Sequence, residues 1–321
     1  MRKHIVALSA AALVGALAAS AHAADAIKVA VSHKTSWDAV PTLIAQEKGF
    51  FKEQNLDVSF IAASGGSETV QTASTGSVQL VANASVHAAI AAYAKGAAIR
   101  IIASQVTGSP DIFWYVKADS PIKKPEDLDG KQVTYSRPNS VTHMVIQNFA
   151  KERKFSPKLI SGGALPAVRT MLMTGQADAS WSVAPFAAEA LKAGEVRILF
   201  TGDDVTAAKT VVSRVSLANA DYLKSHRDVV RRFNVATQKA LDYIYGANFD
   251  ATVQWFAQIN EQDVDAIRKV APMFGSKQQR ALSPIARFDE AVNQAVEFEL
   301  IKEKLTPAQV RELVDVVSPT S

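Results

Sequence analysis

The chain has 321 residues, 48% apolar and 21% charged, with a mean hydropathy of +0.04. This is a globular composition with enough apolar material for one large domain or two lobes. It contains no cysteine, which excludes a disulfide framework, a zinc ribbon, an iron–sulfur site, a cysteine nucleophile and a lipid-modified N-terminal cysteine. Of its 35 basic and 31 acidic residues only Arg2 and Lys3 fall within residues 1–23, so the formal charge of +4 becomes +2 beyond them, with no electrostatic case for nucleic-acid binding.

Arg2, Lys3 and His4 form a basic start, Ile5 to Ser20 is almost wholly apolar or small, and Ala21-His22-Ala23 places small residues where a signal peptidase cuts. The apolar run is shorter than the ~20 residues of a spanning helix. A signal peptide over 1–23, cleaved near Ala23, is therefore predicted, and the mature chain is expected to be soluble and periplasmic.

Strand and helix then alternate, as in a mostly parallel α/β fold. Lys28–Ser32 is a short apolar strand, and Pro41 opens a helix closed by Gly49. Leu56–Ile61 alternates as a half-buried strand, Ser64-Gly65-Gly66-Ser67 opens a helix ending at Gly76, and Val78–Val81 is a third strand. Asn83-Ala84-Ser85 is expected to cap a helix from Val86 to Lys95. The order recurs: strand Lys131–Tyr135, a helix through Val145, Ile146 and Phe149, a strand around Leu159-Ile160, Gly162-Gly163, helix Pro166–Thr174, Gly175, and strand Ala177–Trp181. Two such halves imply two lobes whose loops face one cleft. From Asp221 the apolar period becomes 3.6, with Val229, Val230, Phe233, Ala236, Ala240, Leu241 and Ile244 on one face. Further helices are predicted over Ala251–Gln258, Val264–Val270, Ile285–Lys304 and Pro307–Val316, the last capped by Thr306.

No catalytic constellation stands out. The chain has no phosphate-loop lysine motif, no Gly-x-Ser-x-Gly and no His-Glu-x-x-His, and its six histidines show no ligand spacing. No catalytic residue, metal or cofactor is expected. What remains is a set of small polar segments at the C-terminal ends of predicted parallel strands, where α/β sheets bind ligands and helix N-termini favour anions. The candidates are Ser36, Trp37, Gly65, Gly66, Ser67, Asn83 and Ser85 in the first half, and Ser136, Asn139, Ser140, Thr142, Trp181 and Ser182 in the second. Ser85, Asn139 and Ser140 read equally well as helix caps. Trp37 and Trp181 stand in polar stretches, which favours the cleft over the core. Lys34, Arg137, His33 and His143 offer positive charge nearby, although each singly reads as a surface residue.

The segment Pro41 to Val58, with Ala45-Gln46-Glu47-Lys48-Gly49-Phe50-Phe51 and Leu56-Asp57-Val58, resembles the opening signature of periplasmic solute-binding proteins of the nitrate/sulfonate/taurine ABC importer family. Ser64–Ser67, Lys124–Lys131 and Leu172–Ala179 resemble three further family segments in the family's order; Gln79 departs from it, standing where an Asp is frequent. The resemblance implies a type II two-lobed clamp with residues 24–115 and 213–321 as the first lobe, the helical tail packed on it, and 116–212 as the second lobe. Crossovers are expected near Tyr115–Lys117 and Thr210–Ser213. It also implies a monomer that captures a small organic anion (sulfonate, nitrate-like or carboxylate, with an aromatic body allowed) and delivers it to membrane permease subunits touching both lobe rims. The alternatives are a binder of a pyrimidine or other heterocycle, sandwiched by Trp37 and Trp181, and a ligand-sensing receptor domain. An enzyme like the fungal thiamine-pyrimidine synthases, similar in fold, is disfavoured because those carry a cysteine-rich iron motif.

Overall fold

The computed structural model describes residues 23–63 and 65–320; the expected signal peptide, apart from Ala23, and Ser64 lie outside the described residues. The first lobe is built from β1 (Asp25–Ser32), α1 (Val40–Glu47), α2 (Phe50–Glu53), β2 (Leu56–Ala63), α3 (Gly66–Ser74), β3 (Leu80–Ser85), α4 (Val86–Ala94) and β4 (Ile99–Thr107). The second contains β5 (Ile112–Lys117), β6 (Gln132–Tyr135), α5 (Val141–Arg153), β7 (Lys158–Ser161), α6 (Leu165–Met173), β8 (Ser180–Val183), α7 (Ala188–Lys192), β9 (Val196–Thr201) and α8 (Thr206–Lys209). The chain returns through β10 (Val212–Asn219) and ends in α9 (Ala220–Ser225), α10 (Arg227–Ile244), α11 (Phe249–Ile259), α12 (Val264–Val270), α13 (Phe288–Glu297) and α14 (Pro307–Leu313).

The two sheets repeat one plan. The first runs β2-β1-β3-β10-β4, with β10 antiparallel to both neighbours. In the second, β6 pairs in parallel with β7 and, through an isolated Val133–Ala179 bridge, with the residue just ahead of β8, while β5 runs antiparallel between β8 and β9. Each sheet is thus mostly parallel, with one reversed strand contributed by a segment that has just crossed between lobes. Apolar residues on both faces of β1, such as Val29, Ala30 and Val31, are fully buried, as expected where helices cover a parallel sheet on both sides.

Several boundaries differ from the sequence expectation. β3 extends through Asn83-Ala84-Ser85, because β10 pairs with this stretch, and Ser85 alone caps α4. The helix expected over Ile285–Lys304 shortens to α13, since Ala286 is tied to Val212 and Arg287 takes φ 46° before the helix begins. Tyr115 lies inside β5 and pairs with Ser180 and Ile198 of the second sheet, so the first crossover is Gly108–Asp111, ahead of the expected boundary. The tail also reaches further than the first lobe. α10 buries its apolar face on α1 and α2, with Phe233 stacked on Phe51, but α12 packs on α7 of the second lobe, where Glu189 accepts from Asp263 N at 3.0 Å and Lys192 pairs with Asp263. Helical periodicity marks a buried face without saying which layer covers it.

The crossovers lie backbone against backbone. Gly108 N donates to Val211 O at 2.9 Å, and a Cβ at Gly202 would stand 2.2 Å from Ser109 O. Gly202→Ala is therefore expected to destabilise the protein by about 1–3 kcal/mol through overpacking, read as a lowered urea midpoint. An unchanged midpoint would show that the Gly202 and Ser109 backbones move apart without cost.

Candidate functional site

The C-terminal ends of β1 and β3 face those of β6 and β8 across the lobes, bounding a partly open cavity of about 30 Å³, room for a water rather than for an organic solute while the lobes stand this close. Ser32, His33, Asp38, Gly65, Gly66 and Asn83 line it from the first lobe; Ile112, Ser136, Ser140, Val141, Thr142, Trp181 and Val183 line it from the second, and Arg214 from β10. A larger hollow near Tyr93, Arg100, Arg227 and Asp315 is open to solvent and lies away from these strand ends.

Local sequence explains how each wall is built. Gly66 begins α3 in a place where a Cβ would meet Ser85 N at 2.7 Å and Asn83 O at 2.9 Å, so glycine lets this helix start against the end of β3. Ser140 caps α5 by accepting from His143 N at 3.2 Å. Thr142 Oγ1 lies 2.9 Å from both the Ser136 and the Ser140 hydroxyls and accepts from Ser136 N at 2.9 Å. One helix N-terminus from each lobe, α3 and α5, thus meets a hydroxyl cluster, and first-turn N–H groups favour acceptors and negative charge. Across the lobes, Ser85 Oγ donates to Asn139 O at 2.7 Å.

Behind this wall sits a buried quartet of charges. Arg214 reaches Asp38 at 2.9 Å and Asp111 at 3.0 Å; Arg280 reaches Asp38 at 2.8 Å and Asp111 at 3.5 Å. Burial alone would raise Asp38, but Arg214 and Arg280 outweigh it and hold the carboxyl below its ordinary range. Burial and the neighbouring Asp38 push Asp111 upward against the same arginines. His33, its ring 5.6 Å from that of Trp181, is lowered to about 4, chiefly by burial and against the pull of Asp38. At neutral pH it is an uncharged wall of the cavity.

Two buried polar atoms on the cavity residues, Asn83 Oδ1 and Trp181 Nε1, find no partner among the described residues. The Asn83 amide is oriented by its Nδ2, which donates to Asp38 O at 2.9 Å. Such atoms are costly unless something else satisfies them.

Of the residues expected from sequence, Gly65, Gly66, Asn83, Ser136, Ser140, Thr142 and Trp181 come together on the cavity. Ser67 and Asn139 line a neighbouring, more open hollow with Glu68 and Arg137. Ser85 is a cap and an interlobe tie, as described. Ser182 alternates with Trp181 and Val183 along β8, so its side chain leaves the opposite face of the strand. Ser36 is a buried turn residue whose N and Oγ both donate to His33 O at 2.8 Å. Trp37 is a correction: it is fully buried, stacked on Phe274 at 4.0 Å, with Nε1 donating to Tyr245 at 3.2 Å, and belongs to the core under the tail. The tryptophan sandwich is therefore not formed. Asp38, Ile112, Val183 and Arg214 were not anticipated, and no spacing in the sequence singles them out. Among the described residues no cluster of His, Asp or Glu is arranged to hold a metal ion.

Residues 37–248 match the family described as NMT1/THI5 like. Among curated proteins the chain is similar to the 4-amino-5-hydroxymethyl-2-methylpyrimidine phosphate synthases THI13 and THI5 of Saccharomyces cerevisiae, 23% identical over 221 residues, covering 64% of this chain and 63% of theirs. The matched part thus spans under two thirds of those relatives. Among solved structures it is similar to the periplasmic aliphatic sulphonate binding protein SsuA of Escherichia coli, with a TM-score of 0.72 at 16% identity over 91% of this chain and 92% of that one. The periplasmic nitrate-binding protein NrtA of Synechocystis PCC 6803 gives 0.70 at 13% identity, over 90% and 85%. A protein of Bordetella bronchiseptica RB50 gives 0.67 at 23%, over 88% and 93%. These likenesses establish the fold: it is the two-lobed fold of periplasmic binding proteins.

Proposed function

The chain belongs to the NMT1/THI5-like family, and on that premise we propose that it is the solute-binding component of an ABC importer. It is exported by its signal peptide, captures a small organic solute between its lobes in the periplasm, and presents it as a monomer to membrane permease subunits. The observation that carries this reading is the partly open interlobe cavity at which the N-termini of α3 and α5, the Ser136–Ser140–Thr142 hydroxyls and two unpartnered polar atoms converge from opposite lobes, and which widens to admit a solute as the lobes part. A solute with an acidic head would accept from the helix N–H groups, recovering the several kcal/mol that desolvation of an anion costs. Because the donors belong to different lobes, the solute bridges them and favours the closed clamp over the open one. The permease then reads closure through the rims of both lobes. The synthase activity named for the yeast proteins is not carried over, since the match to them is 23% identical and spans under two thirds of their length.

A second reading, a heterocyclic ligand, is favoured by one feature: the rings of His33 and Trp181, in tilted contact at 5.6 Å, both stand at the cavity, and a flat body can stack on either once the lobes part.

A thermal-shift panel on the purified mature protein tests both, with aliphatic sulfonates, nitrate, aromatic carboxylates and pyrimidines each in large excess. A ligand at a hundred times its Kd adds about 2.7 kcal/mol, several degrees of melting temperature at this size. One class is expected to raise the melt. Silence from every class counts against solute capture.

A further inference from the structure

Asn83 is placed with unusual backbone care. It takes φ 65°, a left-handed conformation, in the middle of β3. It also lies where β3 carries one residue more than β10, between the pairs Val215–Ala84 and Leu217–Val81. Bulges of this kind re-aim a side chain, and a left-handed residue other than glycine in a strand marks a position held by its surroundings. The result is a buried amide of a cavity-lining residue whose Nδ2 is committed to Asp38 O and whose Oδ1 has no partner among the described residues. From the other lobe Trp181 brings a buried N–H, also without a partner. The electrostatics agree. Arg214 is engaged by both Asp38 and Asp111, and no other arginine or lysine lines the cavity among the described residues.

We infer that Asn83 and Trp181 are the specificity pair of this site: the ligand carries a hydrogen-bond donor for Asn83 Oδ1 and an acceptor for Trp181 Nε1. Acceptor-only anions are poor ligands, because their oxygens cannot satisfy Asn83 and place like partial charge against it. The substrate class is a small organic molecule with an N–H or O–H group beside its acidic or otherwise accepting head. This inference rests on the solute-capture reading and narrows it.

Matched pairs differing by one donor provide the test: 3-aminopropanesulfonate against propanesulfonate, 2-aminobenzoate against benzoate, and 4-aminopyrimidine against pyrimidine, each titrated calorimetrically into the mature protein. The donor-bearing member of at least one pair is expected to bind roughly tenfold to a hundredfold tighter, the range for leaving a buried polar atom unsatisfied. Asn83→Gly accepts the left-handed backbone and removes the amide; it should bring that ratio close to one. Asn83→Asp keeps an acceptor at the same place and should preserve the ratio. Trp181→Phe keeps the ring and should weaken both members alike. Equal or tighter binding of the acceptor-only members by the wild type overturns the inference, as does an unchanged ratio in a folded Asn83→Gly variant. Binding of none of the six compounds overturns the solute-capture reading, and the inference with it.

Discussion

Arg214→Met is expected to remove about 3–5 kcal/mol of stability, the range observed when one partner of a buried ion pair is deleted and the other charge is left behind. Methionine fills much of the space, so the loss is electrostatic rather than a cavity effect. Arg280 remains beside both carboxylates but stands 3.5 Å from Asp111, and cannot replace the 3.0 Å contact that Arg214 makes. Its own Nε is already committed to Phe274 O at 2.6 Å. Two buried acids then share one guanidinium, and Asp111, already pushed upward, takes up a proton more readily. The double variant Arg214→Met/Asp111→Asn is therefore expected to be more stable than the single one, since it removes the stranded charge. Urea unfolding at pH 7 checks both statements; a single variant with wild-type stability would mean that the quartet contributes nothing net. Its location gives the test functional weight. Asp38 follows β1, Asp111 ends the first crossover, Arg214 follows the second, and Arg280 sits in the loop before α13. The four side chains tie both crossovers and the tail to the first lobe, so a proposed clamp motion must pivot on the second-lobe side of this cluster.

The alternation of short apolar strands with capped helices was readable because its causes are local. Glycines at 76 and 175 end equivalent helices with φ of 73° and 78°, and Thr306 caps α14 as its sequence suggests, in a capping box completed by Gln309. Trp181 lines the cavity for a reason that survives an error in strand limits: β8 runs Ser180–Val183 rather than Ala177–Trp181, yet its C-terminal end still faces the other lobe. Trp37 was misplaced because Ser36 and Asp38 beside it are polar, while Phe249, Phe256 and Phe274, which cover it, come from more than two hundred residues away. The charge quartet was illegible for the same reason. Its members are joined by the return of the chain through β10, and nothing local distinguishes Arg214 or Arg280 from surface arginines. Asn83 stands in the sequence both as a ligand-binding candidate and as part of a cap, but the bulge that aims its side chain exists only once β10 pairs with β3.

Acidification supplies the second large effect. His33 and His87 are both lowered from 6.5 to about 4, in each case chiefly by burial. A histidine held neutral in the fold contributes its full stability above pH 6.5 and loses it as pH falls toward 4, because the unfolded chain binds the proton first. At 1.36 kcal/mol per unit, His87 accounts for about 3 kcal/mol over that window, and His33, partly open to the cavity, for somewhat less. His87 is the cleaner probe. Its Nε2 lies 3.0 Å from Gln294 Oε1, and Gln294 is oriented by donating its Nε2 to Ala207 O at 2.9 Å, so Nε2 carries the hydrogen and Nδ1 is a buried acceptor without a partner. The groups around it, Ser109, Asn148 and Ser213, are uncharged, so no carboxylate stands ready to accept a protonated ring. His143, also lowered by burial, acts in the same direction. Asp111 opposes them, since a raised carboxyl stabilises the fold as pH falls through its shifted range; Asp38, held down, acts only below the ordinary carboxylate range. Wild-type stability is accordingly expected to fall between pH 6.5 and 4.5, and His87→Gln, which retains a donor toward Gln294, should flatten the slope. Adding His33→Gln should flatten it further and expose the opposing contribution of Asp111. Urea midpoints at three pH values decide the matter: a slope unchanged in His87→Gln would mean that this ring is reached by protons without unfolding cost. The same histidines lie between the lobes, His33 on the cavity and His87 on α4 where it meets α5 and α13. A proton on either is more easily hydrated with the lobes apart, so acid should weaken solute binding over the same interval in which it weakens the fold.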